Sequence, residues 1–191
     1  MVMKGFLSMV AAMLSVACVL TACKPAKPEP PAGSSAALST RNNCYSLLHQ
    51  LLDEQKDVSI LRFIKKEHSN VKQLVVKIAT ASGAGSALLE DFAKHDPSLS
   101  LDDIGLPPGE TATRDAIAST EKKELLGHTG DEFELALLLT QTEALRYACH
   151  LAKVAGENDS QPDRARALTG LSENMESLYH EVFAMLLSKR K

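Results

Sequence analysis

The residues of this chain best suited to chemistry are its six histidines and 24 acidic side chains, because imidazole and carboxylate together bind divalent metals and move protons. A di-metal centre inside a helical bundle needs Glu-x-x-His on two helices, since positions i and i+3 send both ligands toward the bundle axis. The residues three before each histidine are Ser46, Lys65, Phe92, Leu125, Tyr147 and Ser177, so that signature is absent. Weaker pairs remain: Glu176 and His180 at i and i+4, and Glu143 and His150 at i and i+7. Helical phase sets His180 away from the apolar stripe of its helix and sets Glu143 and His150 opposite Leu145 and Cys149. These four read as solvated faces with ordinary i,i+4 pairing before they read as ligands. The chain has no Cys-x-x-Cys-His for covalent haem and no Gly-x-Ser-x-Gly for an acyl-transfer serine, and its glycine-rich stretch lacks the lysine of a phosphate loop. The expectation is a protein without a catalytic centre or a cofactor.

Thiols offer a different chemistry. Met1 to Lys4 carries one positive charge, Gly5 to Val19 is apolar or small, and no acidic residue precedes Cys23, which is the pattern of an export signal. The stretch Leu20-Thr21-Ala22-Cys23 resembles the lipobox of bacterial lipoproteins: a branched apolar residue, two small residues, then cysteine. The resemblance implies a diacylglyceryl group on the Cys23 thiol, cleavage before Cys23, and acylation of the new amine. Two or three acyl chains anchor stably where one is marginal, at about 0.8 kcal/mol per buried methylene. The position of Cys23, with a proline-rich stretch directly after it, favours this over an uncleaved membrane span or a secreted protein cut elsewhere. Cys18 leaves with the signal, so Cys44 and Cys149 remain. In an oxidising compartment two cysteines can pair; as two small buried hydrophobes they would fit equally, since Cys44 shares a stripe with Leu47, Leu48 and Leu51.

Three regions would position these groups: a signal over 1–22, a lipidated cysteine and Pro/Ser-rich tether over 23–38, and a helical domain over 39–191. Pro25, Pro28, Pro30 and Pro31 make the tether an extended spacer. Without residues 1–22 the chain is mildly acidic and has no basic block, which gives no electrostatic footprint for nucleic acid. Trp is absent and aromatics make up 4% of residues, so Leu, Ala, Val and Ile must build the core.

From Thr40 the apolar spacing is helical: Cys44, Leu48 and Leu51, then Val58, Leu61 and Ile64, with a break near Asp57. A second helix, capped by Ser69 or Asn70, runs through Val71, Leu74, Ile78 and Leu89 to Asp96-Pro97. Its middle holds only Ala, Ser, Gly and Thr, a smooth face for close helix approach or for a cleft over Gly83. A long connection from His95 to Thr113 leads to a short helix opened by Thr111 or Thr113 and stopped by Gly127. Thr129 and Glu132 have the spacing of a capping box for the third long helix, in which Leu135 to Leu139 is apolar all round, as in the centre of a bundle. Ser160, ahead of Pro162, caps the last helix, and Lys189-Arg190-Lys191 suits the negative end of its dipole. No stretch alternates with period two, so the expected class is all-α.

From Leu52 to Leu187 the layout resembles a bacterial family of exported proteins of unknown function with a ferritin-like helical fold. The points of contact are Val71-Lys72, Leu106-Pro107 and Gly130-Asp131-Glu132-Phe133, with the spacing between them. The resemblance implies a ferritin-like four-helix bundle with one long crossover connection, and export. Members of that family carry an Asp-His pair midway along the second helix and a His midway along the third, where this chain has Ala79-Thr80-Ala81-Ser82 and Glu143-Ala144-Leu145. The function expected is a membrane-anchored, periplasm-facing binding module with an envelope protein partner. The rival is a metal-binding or redox protein using Glu143, His150, Glu176 and His180. Lys24 after the lipidated cysteine favours the outer membrane over the inner.

Overall fold

A computed structural model describes residues 35–60, 68–102 and 105–189. The lipobox, the tether up to residue 34, Leu61, Ile64, Arg190 and Lys191 lie outside the described residues, and residues 35–38, expected as tether, are helical. The elements are α1 (Ser35–Lys56), a 3-10 turn (Val58–Ile60), α2 (Ser69–His95), α3 (Pro108–Gly127), α4 (Gly130–Glu157) and α5 (Pro162–Ser188). The protein is all-α: among the described residues there are five α-helices and no strand, and no helix there is long and apolar enough to cross a membrane.

Most boundaries follow local chemistry. The break after α1 falls at Asp57, as its spacing predicts. The helix begins ahead of both Thr40 and the expected boundary at residue 39, because Ala37 already packs fully buried. Asp96 stops α2 by accepting the Ser98 amide at 3.0 Å and its hydroxyl at 2.7 Å. Helix α3 opens at Pro108, ahead of the expected threonines, since proline suits a first helical position where no amide is needed. Two expected caps do not form. Thr129 holds the N-cap position of α4 without a side-chain bond, and Glu132 turns to His128 at 3.5 Å. At α5 the N-cap is Gln161, whose amide is taken by Asp159 at 2.8 Å, and Ser160 stands exposed.

Side-chain pairs fix the helix directions. His49 meets Glu90 and Tyr45 meets Phe92, so α1 and α2 run antiparallel. Lys77 pairs with Glu181 at 2.7 Å, and Asp96 with Arg164 at 2.7 Å, which sets α2 against α5. His68 reaches Glu134, so α2 and α4 start side by side and run parallel. Tyr45 reaches Asp159, which places the middle of α1 at the end of α4. The chain returns between α2 and α4 largely as α3, which lies antiparallel along α4 with the Arg114 guanidinium 5.0 Å over the Tyr147 ring.

Leu48, Leu52, Ile78, Leu89, Leu145, Leu168, Met175 and Val182 fill the space between α1, α2, α4 and α5. The small residues of α2 let three helices close up. A Cβ at Gly85 would stand 2.9 Å from Leu52 Cδ1 and 3.0 Å from Leu171 Cδ1, whereas at Gly83 it would meet only Lys56 Cβ, at 3.8 Å. Helix α4 departs from expectation. Leu137 and Leu138 are buried, but Leu135 and Leu139 are 42% and 47% exposed, so the helix has an open face and is not enclosed all round. Helix α3 should cover that face, yet it buries none of its own residues.

One end of the bundle is held by a buried carboxylate. Asp159 accepts from Tyr45 Oη at 2.7 Å and from Arg164 Nε and Nη2 at 2.9 Å each, and Arg164 Nη1 donates to Asp96. Burial pushes the Asp159 carboxyl up, but Arg164, the Gln161 amide and the Tyr45 hydroxyl outweigh it and hold it below the usual range. Asp96 is held at about 2, first by the Ser98 hydroxyl and then by Arg164.

Three predictions follow from this packing and these charges. Gly83→Ala should raise stability by about 0.5–1 kcal/mol through helix propensity, and Gly85→Leu should lower it by about 1–3 kcal/mol through overpacking, both read from urea midpoints. Arg164→Met should cost about 3–5 kcal/mol, because it strands Asp159. Both carboxylates have lowered folded values, so their contribution is complete above about pH 4 and is lost as pH falls toward about 2 for Asp96. The acid limb of the stability curve should flatten in Asp96→Asn.

Candidate functional site

The residues singled out by spacing stand apart from one another. Glu143, His150, Glu176 and His180 are all exposed, on two helices, and belong to no shared cluster among the described residues. Their phase is as expected, opposite the buried stripes of α4 and α5. Cys44 and Cys149 are both buried free thiols. Cys149 packs on Ser172, whose hydroxyl donates to the Cys149 carbonyl at 3.0 Å. Burial pushes the Cys44 thiol up to about 11, which makes it a poor nucleophile.

Among the described residues, two other groups set an imidazole and two carboxylates within 4.8 Å of one another. The first is His68, Asp131 and Glu134, at the end of the bundle where α2 and α4 begin. Glu134 is 1% exposed and fully engaged: it accepts from the His68 amide, it lies 3.0 Å from His68 Nδ1 through either oxygen, and Lys189 is ion-paired to it. Burial pushes Glu134 up, while Lys189 and His68 hold it below its ordinary range. The Lys189 ammonium already fills the role a metal would take. This group is a clamp, the counterpart of Asp159 at the other end.

The second group is His49, Asp53 and Glu90. His49 and Asp53 stand one turn apart on α1, and Glu90 reaches across from α2 with Oε1 3.3 Å from His49 Nε2. Arms of about 2.0–2.1 Å to a tetrahedral zinc put neighbouring ligands about 3.3 Å apart, so the His49–Glu90 spacing matches one edge of such a site, and Asp53 lies within 4.8 Å of both. Ser86 donates to Asp53 at 3.5 Å, and Lys56, ion-paired to the same carboxylate, holds it below its usual range. A shallow pocket bearing Glu54 and Asp102 opens beside the group. The test for Glu-x-x-His misses this set, because the histidine precedes its helix partner and the third ligand comes from another helix. His-x-x-x-Asp on α1 was the legible part.

The remaining candidate is the face made by α3 on α4. Near the start of α3 a pocket of about 160 Å³ lies between α1, α3 and α4, lined by Leu47, Leu51, Leu106, Arg114 and Tyr147. Farther along, toward the short link between the two helices, an open groove between α3 and α4 is floored by Leu135, Ala136 and Leu139. Glu121, Glu124, Glu132 and Glu143 border that floor. Neither helix end nor metal chemistry is needed to build it; it results from a helix that lies against the bundle without sinking into it. The chain matches no known protein family, no curated protein and no solved structure.

Metal uptake separates the ligand sets. Of the Zn²⁺ bound by the full chain in equilibrium dialysis, about one equivalent should disappear in His49→Ala and in Glu90→Gln. His150→Ala and His180→Ala should leave the bound zinc unchanged; loss in that pair would return the ligand role to the exposed faces of α4 and α5.

Proposed function

We propose that the protein is a lipid-anchored envelope protein whose helical bundle, wound as in ferritin-like proteins, faces the periplasm and acts as a binding module for a protein partner. The observation that carries this reading is α3: a helix of 20 residues that buries none of its own side chains and leaves two leucines of α4 in solvent. A crossover that served only to connect α2 with α4 would gain from an apolar stripe of its own. A helix held over open clefts presents a surface instead. The parallel run of α2 and α4, joined by a long crossover, supports the ferritin-like winding. The Leu20–Cys23 stretch and the tether support the anchor, and Lys24 supports the outer membrane.

A second reading rests on His49, Asp53 and Glu90, whose donor set fits a divalent ion. It makes the protein a metal-binding bundle, with ligands other than Glu143, His150, Glu176 and His180. The exposed position of Asp53 and Glu90 and the ion pair of Asp53 with Lys56 rank it below the interaction module.

Labelling with a palmitate analogue should mark the full chain, and Cys23→Ser should lose the label and leave the membrane fraction. A photo-crosslinking residue at Ile117 or Thr120 of α3 should capture a protein in intact cells, whereas one at Glu176 should not. Chains crosslinked at no position, in cells where the protein is lipidated and abundant, would overturn the interaction module.

A further inference from the structure

We infer that the groove between α3 and α4 receives a basic amphipathic helix of the partner, a proposal that rests on the interaction module argued above. The floor supplies the apolar half of the match. Leu135 and Leu139 stand one turn apart on α4, each close to half exposed, with Ala136 between them low enough to admit a side chain. That i,i+4 ridge is the spacing into which another helix sets its own i, i+3 and i+4 side chains.

The border supplies the charge. Glu121 and Glu124 line the α3 side of the floor, and Glu132 and Glu143 stand on the floor's own stripe of α4 at its two ends, so acid borders the floor on three sides. Among the described residues Glu121, Glu124 and Glu143 take part in no ion pair, and Glu132 meets only His128. Glu121 is half-buried, and its carboxyl is pushed up by that burial and by the nearby Glu143 and Glu124. Unneutralised carboxylates around an apolar floor repel one another until a cation arrives, and a partner carrying Lys or Arg beside its apolar face relieves both costs together.

The same charge argues against other occupants. The chain has net charge −3, and a second copy docking by this face would set the same acidic borders against each other. An anionic lipid surface would be repelled.

The probe is an 18-residue helical peptide of Leu and Lys with its leucines on one face, titrated against the full lipidated chain in phosphatidylcholine nanodiscs, with empty nanodiscs subtracted. Binding should weaken about tenfold in Glu121→Gln/Glu143→Gln and in Leu139→Ser, and should fall with added salt. A peptide with Glu in place of Lys should not bind. All the substituted positions are exposed or half-buried, and unchanged circular dichroism confirms that the variants fold. Equal binding by wild type and both variants, equal binding of the acidic peptide, or a change in self-association in place of peptide binding would overturn the proposal. Crosslinks captured in cells from other faces, with none at Leu139, would overturn the groove and leave the interaction module standing.

Discussion

Two carboxylates taken out of water hold this bundle in register. Asp159 and Glu134 lie at opposite ends of α4, with side chains 0% and 1% exposed. A buried carboxylate is tolerated only where its oxygens are fully engaged and its charge is matched. Asp159 takes Tyr45 from α1 and Arg164 from α5, and through Arg164 it reaches Asp96 at the end of α2. Glu134 takes the His68 amide at the start of α2 and Lys189 at the end of α5. Each end therefore admits one arrangement of helices. Apolar packing alone would tolerate sliding by a turn, because leucine ridges repeat; a buried charge does not.

Between those ends the constraint is steric. Gly85 lets Leu52 and Leu171 meet over the backbone of α2, so α1, α2 and α5 close on one another at mid-bundle. Helix α3 takes part in neither device. It is tied to the rest through Arg114 on Tyr147, through the half-buried Leu125 against the Val71, Val75, Phe133 and Leu137 cluster, and through its short link to α4. Local stability is lowest where buried apolar contacts are fewest. The element with the least invested in the core is thus the one that shapes both clefts.

Much of this was legible in the sequence, and the misses have a common cause. The helix count, the break at Asp57, the stop at Asp96-Pro97 and at Gly127, and the solvated phase of His150 and His180 all follow from periodicity and breakers, which are local. Asp159 and Glu134 were not legible, because a carboxylate in a polar loop or a first turn reads as a cap or a solvated charge until distant helices close over it. The caps expected at Thr129 and Ser160 fail for the same reason at Ser160, where Asp159 takes the neighbouring amide. The His49 group was half legible, as one turn of α1, and Glu90 joins it only through tertiary packing.

The run Leu135 to Leu139 is the instructive error. Five consecutive apolar positions read as a helix enclosed on all sides, and that inference assumes neighbours enough to enclose it. Here α2 and α5 cover one side, with Phe133 and Leu137 packed against Val71 and Val75, while α3 lies too shallow to cover the other. A protein that needed only to fold would gain about 1.5–3 kcal/mol for each leucine fully buried there, or lose little by carrying polar residues instead. This chain does neither, and it surrounds the exposed leucines with glutamates of which only Glu132 has a basic neighbour, His128. Apolar surface kept open and acid kept unpaired in the same groove are two departures from the self-consistent solution, and a basic amphipathic partner resolves both with one contact.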